Sequence, residues 1–155
     1  MPVRLSLYNR NMLHVLRLDP AARLPQVAHP GEDLGYDIFS LEPKTIDPGG
    51  SARVRTGIAV EARHPKTGEA LGLLVRDRSS MASRSIAVTG GVIDAGYRGE
   101  ILILLTNLGA DPFAIAAGDK IAQMIPLPVL TGAVIAVETL SDSTRADQGF
   151  GSSGR

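Results

Sequence analysis

Short apolar stretches separated by turn residues run through almost the whole chain. "HVLRL", "GYDIFSL", "SARVRTGIAVEA", "ALGLLVRD", "SIAVTGGVID", "GEILILLTN", "DKIAQMIPL" and "VLTGAVIAVE" read as strands. Between them, "DPGG", "HPKTGEA", "DAGYRG" and "LGADP" carry the Gly, Pro and Asp chemistry of tight connections. The one helical turn the pattern predicts is "RSSMASR", too short to build a domain around. The pattern as a whole predicts an all-β barrel or sandwich. "GEILILLTN" and "AVIAVE" are apolar on both faces, so a second sheet or another subunit must cover them. In a small domain another subunit is the expected cover, in a cyclic homo-oligomer.

Composition narrows this picture. The chain has 155 residues, 44% hydrophobic and 21% charged, which suits one soluble globular domain. Its 16 basic and 16 acidic residues cancel, so no whole-molecule attraction to nucleic acid or to an anionic membrane is expected. Anion chemistry must then come from local arginine clusters. The absence of cysteine excludes disulfides, thiolate zinc sites and a cysteine nucleophile. No apolar run approaches the roughly 18 residues of a membrane span. The first 18 residues hold three arginines and no acid but lack the Ser-richness of a transit peptide. They read as an extension, residues 1–11, running into the first strand, and a cytoplasmic location is expected.

Five stretches carry candidate chemistry. "GGVIDAGYRGEI" reads as strand, hairpin, strand, with Asp94 and Tyr97 at the bend. Asp94 either bonds turn amides or serves as a general base beside the Tyr97 ring. "VRDRSSMASR" puts Arg78, Ser79 and Ser80 at the start of a turn, where a guanidinium, hydroxyls and amides suit a phosphate. Gln123 in "GDKIAQMI" needs partners within an apolar strand, whether backbone groups or a polar cavity. Asp37 in "GYDIFS" is either paired, exposed on an edge or close to a metal, and oxygen ligands without His or Cys would suit Mg²⁺. The fifth stretch is the C-terminal "TRADQGFGSSGR", a Gly/Ser-rich segment with a single aromatic, Phe150. His14, His29 and His64 are far apart and read as surface residues, and neither Walker nor dinucleotide glycine spacing is present.

Taken in order, "GYDI", "RSSMA", "GVIDAGYRGEI", "GDKIAQ" and "R…GFGSSG" resemble the five motifs of the trimeric deoxyuridine triphosphatases, the dUTP pyrophosphatases. The resemblance covers nearly everything beyond about residue 12. It implies a distorted jelly-roll barrel of the β-clip kind, spanning residues 1–144, and a homotrimer with three active sites shared between subunits. It implies a magnesium-assisted attack of water on the α-phosphate of dUTP, giving dUMP and pyrophosphate. Such an activity limits uracil in DNA and supplies dUMP for thymidylate synthesis. Asp94 would activate the water, and Tyr97 would pack on the deoxyribose. Backbone groups around Gly91, Val92 and Ile93 would read the uracil edge. Arg78, Ser79, Ser80 and Gln123 would hold phosphates, and Asp37 would reach Mg²⁺ through a coordinated water. Residues 145–155 would form a lid, with Phe150 on the base and Arg145, Gly151, Ser152 and Ser153 on phosphates. Ordering that lid costs on the order of 10–20 kcal/mol. One base stack returns about 1–3 kcal/mol, so the phosphates must supply the rest.

Leu34, Ser80, Ala146 and Gln148 depart from the residues common in that family. The related dCTP deaminases place a catalytic glutamate where this chain has Leu104, with Glu100 four residues too early, which disfavours deamination. A non-catalytic nucleotide sensor on the same fold is the other alternative, and it has no need of the base and tail retained here.

Overall fold

The computed structural model describes residues 12–144. The strands are β1 Leu13–Arg17, β2 Tyr36–Phe39, β3 Lys44–Ile46, β4 Ser51–Arg55, β5 Ile58–Arg63, β6 Ala70–Arg76, β7 Ile86–Thr89, β8 Val92–Ile93, β9 Leu102–Asn107, β10 Phe113–Ile115 and β11 Lys120–Pro128. A single turn of helix, α1 Ser79–Ala82, sits where the sequence placed it. The strands form a six-stranded sheet (β1-β5-β6-β11-β2, with β8 also on β6), a three-stranded sheet (β4-β9-β7) and the β3–β10 pair. Their inward faces share one core that includes Ile38, Val54, Ile58, Ile103, Leu105 and Met124. This is the all-β barrel that the alternation predicted, and the distorted jelly roll that the resemblance implied.

Four strand expectations need correction. "SARVRTGIAVEA" is two strands in different sheets, because the chain turns at Thr56-Gly57. Gly57 adopts φ +69, a conformation that a β-carbon disfavours, and the buried Thr56 hydroxyl donates to Ile101 O at 2.6 Å. "SIAVTGGVID" likewise breaks at Gly90-Gly91 into β7 and β8. "GGVIDAGYRGEI" is not a hairpin, since β8 pairs with β6 while β9 lies between β4 and β7. Residues 94–101 therefore cross from one sheet to the other. "VLTGAVIAVE" forms no strand: beyond β11 the chain runs without regular pairing to residue 144. Leu130 is 90% exposed there and Val134 98%, so these apolar side chains have little cover among the described residues.

The central strand β6 organises the molecule. One edge carries β11 in register from Gln123↔Arg76 to Pro128↔Leu71. Its other edge is divided, with β5 on Ala70 and Leu71 and β8 on Leu73 and Leu74. At the β8 end Val75 N donates to Gly91 O at 2.7 Å. A β-carbon on Gly91 would lie 2.3 Å from Val75 O, so only glycine allows this approach. Asn107 ties β9 to β3, its amide donating to Ile46 O at 2.9 Å and Asp111 O at 2.8 Å. Among the described residues no buried side-chain polar atom lacks a partner, as a packed β core requires.

Candidate functional site

Two clusters of the expected residues form, and they are separate. The first lies on the crossing from β8 to β9. Val92, Ile93, Asp94 and Tyr97 line a 190 Å³ pocket, together with Glu100 and Leu102. The Asp94 carbonyl accepts from Tyr97 N at 3.0 Å, closing a tight turn that places both side chains outward. The Tyr97 hydroxyl donates to Glu100 O at 3.0 Å, which fixes the ring against the loop. Glu100 in turn accepts from Gly57 N at 2.9 Å and from Arg55 Nε at 3.2 Å, anchoring the loop to the β4–β5 corner. The Asp94 carboxylate is exposed and has no hydrogen bond or ion pair with a described residue. Among the described residues, the turn-former alternative for this side chain has no support. An unpartnered carboxylate over a small, half-apolar pocket is free to take a proton from a water.

The second cluster gathers Asp37, Arg78, Ser79 and Gln123 around a 330 Å³ pocket. Asp37 lies on β2 opposite Gln123 of β11, and β11 also pairs with β6, whose end leads into Arg78. Asp37 Oδ1 accepts from Arg78 Nε at 2.9 Å, and Oδ2 meets Lys120 Nζ at 2.7 Å. Arg78 Nη1 donates to Ser80 Oγ at 3.3 Å and Lys120 O at 3.4 Å. Gln123 Nε2 donates to Asp77 O at 2.9 Å, which leaves its amide oxygen to accept from a water. On the rim, the His29 backbone N–H donates to Asp33 at 2.8 Å and holds that carboxyl below its ordinary 3.8. Among the described residues no hydrogen bond or ion pair joins this cluster to Asp94 or Tyr97, and the two pockets share no lining residue.

The metal expectation can be tested on the donor set. Among the described residues no three His, Cys, Asp or Glu side chains come together, so an all-protein metal cage is absent there. Both Asp37 oxygens already hold a cation, yet each keeps a second lone pair for a water. One carboxylate and one amide oxygen suit an ion that keeps its waters and rides on phosphates, which is how Mg²⁺ ordinarily binds.

Lys120, within "GDKIAQ", is the second cation on Asp37, a role the motif alone does not assign. The signal in the sequence is a basic residue three positions before Gln123. Arg145, Phe150, Gly151, Ser152 and Ser153 lie outside the described residues, as do residues 1–11. No helix among the described residues is long and apolar enough to cross a membrane.

The barrel sets an exposed carboxylate at one pocket and two basic side chains, Arg78 and Lys120, beside another, where an anionic group would meet them. The chain belongs to the dUTPase family, whose profile matches residues 22–154. It is 46% identical over 145 residues to the deoxyuridine 5'-triphosphate nucleotidohydrolase of Alkaliphilus metalliredigens (strain QYMF), covering 92% of this chain and 96% of that one. The corresponding protein of Mycolicibacterium gilvum (strain PYR-GCK) is 44% identical over 151 residues, covering 92% and 94%. Among solved structures, the Staphylococcus bacteriophage 80alpha dUTPase with dUpNHpp superposes with a TM-score of 0.83 at 30% identity, covering 94% of this chain and 99% of that one. A dUTPase from phage phi11 of S. aureus, described with a structural Mg(II) ion, gives 0.75 at 28% identity, covering 85% and 100%.

Proposed function

We propose that this chain is a dUTP diphosphatase, hydrolysing dUTP to dUMP and pyrophosphate by attack of water on the α-phosphate. The observation that carries the reading is the Asp94 loop: an unpartnered carboxylate beside a pocket lined by Val92, Ile93 and Tyr97. Asp94 takes the proton from the attacking water. The Tyr97 ring lies under the deoxyribose and leaves no room for a 2′-hydroxyl. Backbone groups of Gly91, Val92 and Ile93 read the uracil edge. Arg78, Ser79, Ser80 and Gln123 hold the phosphates, with Gln123 also orienting the water through its free amide oxygen. When bound, Mg²⁺ would neutralise phosphate charge, and Asp37 would be the residue that holds it through water. Residues 145–155 close over the triphosphate, with Phe150 on the base and Arg145, Gly151, Ser152 and Ser153 on phosphates.

A homotrimer with shared sites goes with this reading. Among the described residues the two clusters do not meet, which supports a neighbour's Arg78 side completing each Asp94 side. The exposed apolar run from Val129 to Leu140 supplies surface for such a neighbour. Drawing on the nucleotide pool, the enzyme would act in the cytoplasm, with no nucleic acid or membrane partner. Deamination is disfavoured by Leu104, which pairs with Arg53 and Thr89 in the three-stranded sheet and offers no acid.

The test is pyrophosphate release from dUTP, dTTP, UTP and dCTP, with and without Mg²⁺. Selective, magnesium-dependent turnover of dUTP is expected. Equal turnover of UTP would remove the role given to Tyr97, and uridine nucleotides formed from dCTP would replace the whole reading with deamination.

A further inference from the structure

The Asp94–Tyr97 loop is fastened at a second point, which the reaction as described does not use. Arg98 Nη1 donates to Ala95 O at 2.8 Å and to Tyr97 O at 2.9 Å. Its Nη2 donates to Glu61 Oε1 at 3.1 Å. Glu61 belongs to β5, inside the six-stranded sheet, opposite His14 of β1. Arg63 holds the same Oε1 through Nε at 3.0 Å and Nη2 at 2.5 Å, and is itself tied to Gly68 O at 3.1 Å. The Glu61 carboxylate is thus an oriented fixture on the barrel wall, and Arg98 spans from it to the loop.

We propose that Arg98 is a positioning residue for the hydrolysis, bracing the loop that carries Asp94 and Tyr97 against Glu61. An exposed ion pair on its own contributes little to stability. The geometry here does something else. Two carbonyls, one on each side of Gly96, are held by one guanidinium nitrogen, so the peptide planes at Ala95 and Tyr97 are set relative to the sheet. The flat fork of arginine can reach two carbonyls and a carboxylate together, which a lysine ammonium matches poorly. Glu100 secures the far end of the loop, so the side chains between are held at two points. The brace acts through the loop and touches no substrate.

The inference rests on the reading of Tyr97 as the surface that excludes a 2′-hydroxyl, and the experiment separates the two. Steady-state kinetics with dUTP and with UTP are measured for the wild type, Arg98→Ala, Arg98→Lys and Glu61→Gln, alongside amide hydrogen exchange. Small misplacement of reacting groups can cost about 10²-fold, so Arg98→Ala is expected to lose roughly 10–100-fold in kcat/KM for dUTP. UTP turnover falls less, so the dUTP/UTP ratio narrows. Glu61→Gln shifts the ratio the same way, and Arg98→Lys falls between wild type and alanine. Faster exchange is expected at residues 95–100 but not in the core strands. An unchanged ratio, or loss of both substrates in equal proportion, overturns the brace in an enzyme whose wild type discriminates. A wild type that turns over UTP as well as dUTP removes the Tyr97 reading instead. The brace is then decided by exchange, and unchanged protection at residues 95–100 in Arg98→Ala overturns it. Should Arg98→Ala fail to fold, Arg98→Lys and Glu61→Gln carry the same comparisons.

Discussion

Asp94 and Asp37 are both aspartates at the edge of a pocket, one on a loop between sheets and the other within a strand. The Asp37 carboxylate is held by Arg78 at 2.9 Å and Lys120 at 2.7 Å, while that of Asp94 has no described partner. The difference sorts their chemistry. A carboxylate that already pairs with two cations holds them where an incoming phosphate can find them. A carboxylate with no partner contributes little to stability and is available as a base. Position on the backbone follows the same division: β2 is locked by pairing with β11, whereas the Asp94 loop depends on side-chain fastenings.

The sharpest way to break this contrast is Asp94→Asn. General-base catalysis contributes about 10²–10⁴-fold, so turnover of dUTP should fall by that amount. The melting temperature should stay near the wild-type value, because no described contact is lost. A large fall in melting temperature would show that Asp94 has a structural share after all. Asp37→Asn should have the opposite profile. Hydrogen bonds to charged groups are worth about 1.5–3 kcal/mol, so unfolding in denaturant should register a loss of that size. KM for dUTP should rise as Arg78 and Lys120 lose their common anchor. Unchanged stability would mean that the two cations need no holding.

The smallest effect is acid dependence at the loop's brace. Arg63, donating to Glu61, holds that carboxyl below its ordinary 4.5, and Arg98 and His14 face the same group. A lowered native value means that the stabilisation is complete above pH 4.5 and is lost as pH falls through that lowered value. Melting curves from about pH 6 to about pH 3 should therefore show an acid component in the wild type that Glu61→Gln lacks. Superimposable pH profiles would remove Glu61 from the acid response.

Alternation made the β architecture legible, and the short helix at Ser79 was readable from "RSSMASR". Sheet membership was not. Residues 51–63 look continuous in hydropathy, yet Gly57 turns the chain into a different sheet, and no periodicity encodes that choice. β3 and β10, each of three residues, are too short to show a period. The two halves of the site were found as motifs because their residue types are chemically specific. Their partners were harder to see, since Glu61 and Lys120 are charged residues on strands, which ordinarily face solvent. Only the register, His14↔Glu61 on one side and Lys120↔Phe39 on the other, brings them to Arg98 and Asp37.

If the proposed homotrimer forms through it, the exposed run from Val129 to Leu140 would make abundance a variable of the enzyme. Apolar side chains as open as Val134 and Leu130 reach their lowest free energy only when another surface takes them from water. For association of this kind mass action applies: each dilution step shifts chains toward the uncovered form. Specific activity per chain would then rise with concentration, even at saturating substrate. A cell holding few copies would have less hydrolysis than its copy number implies, with no effector involved.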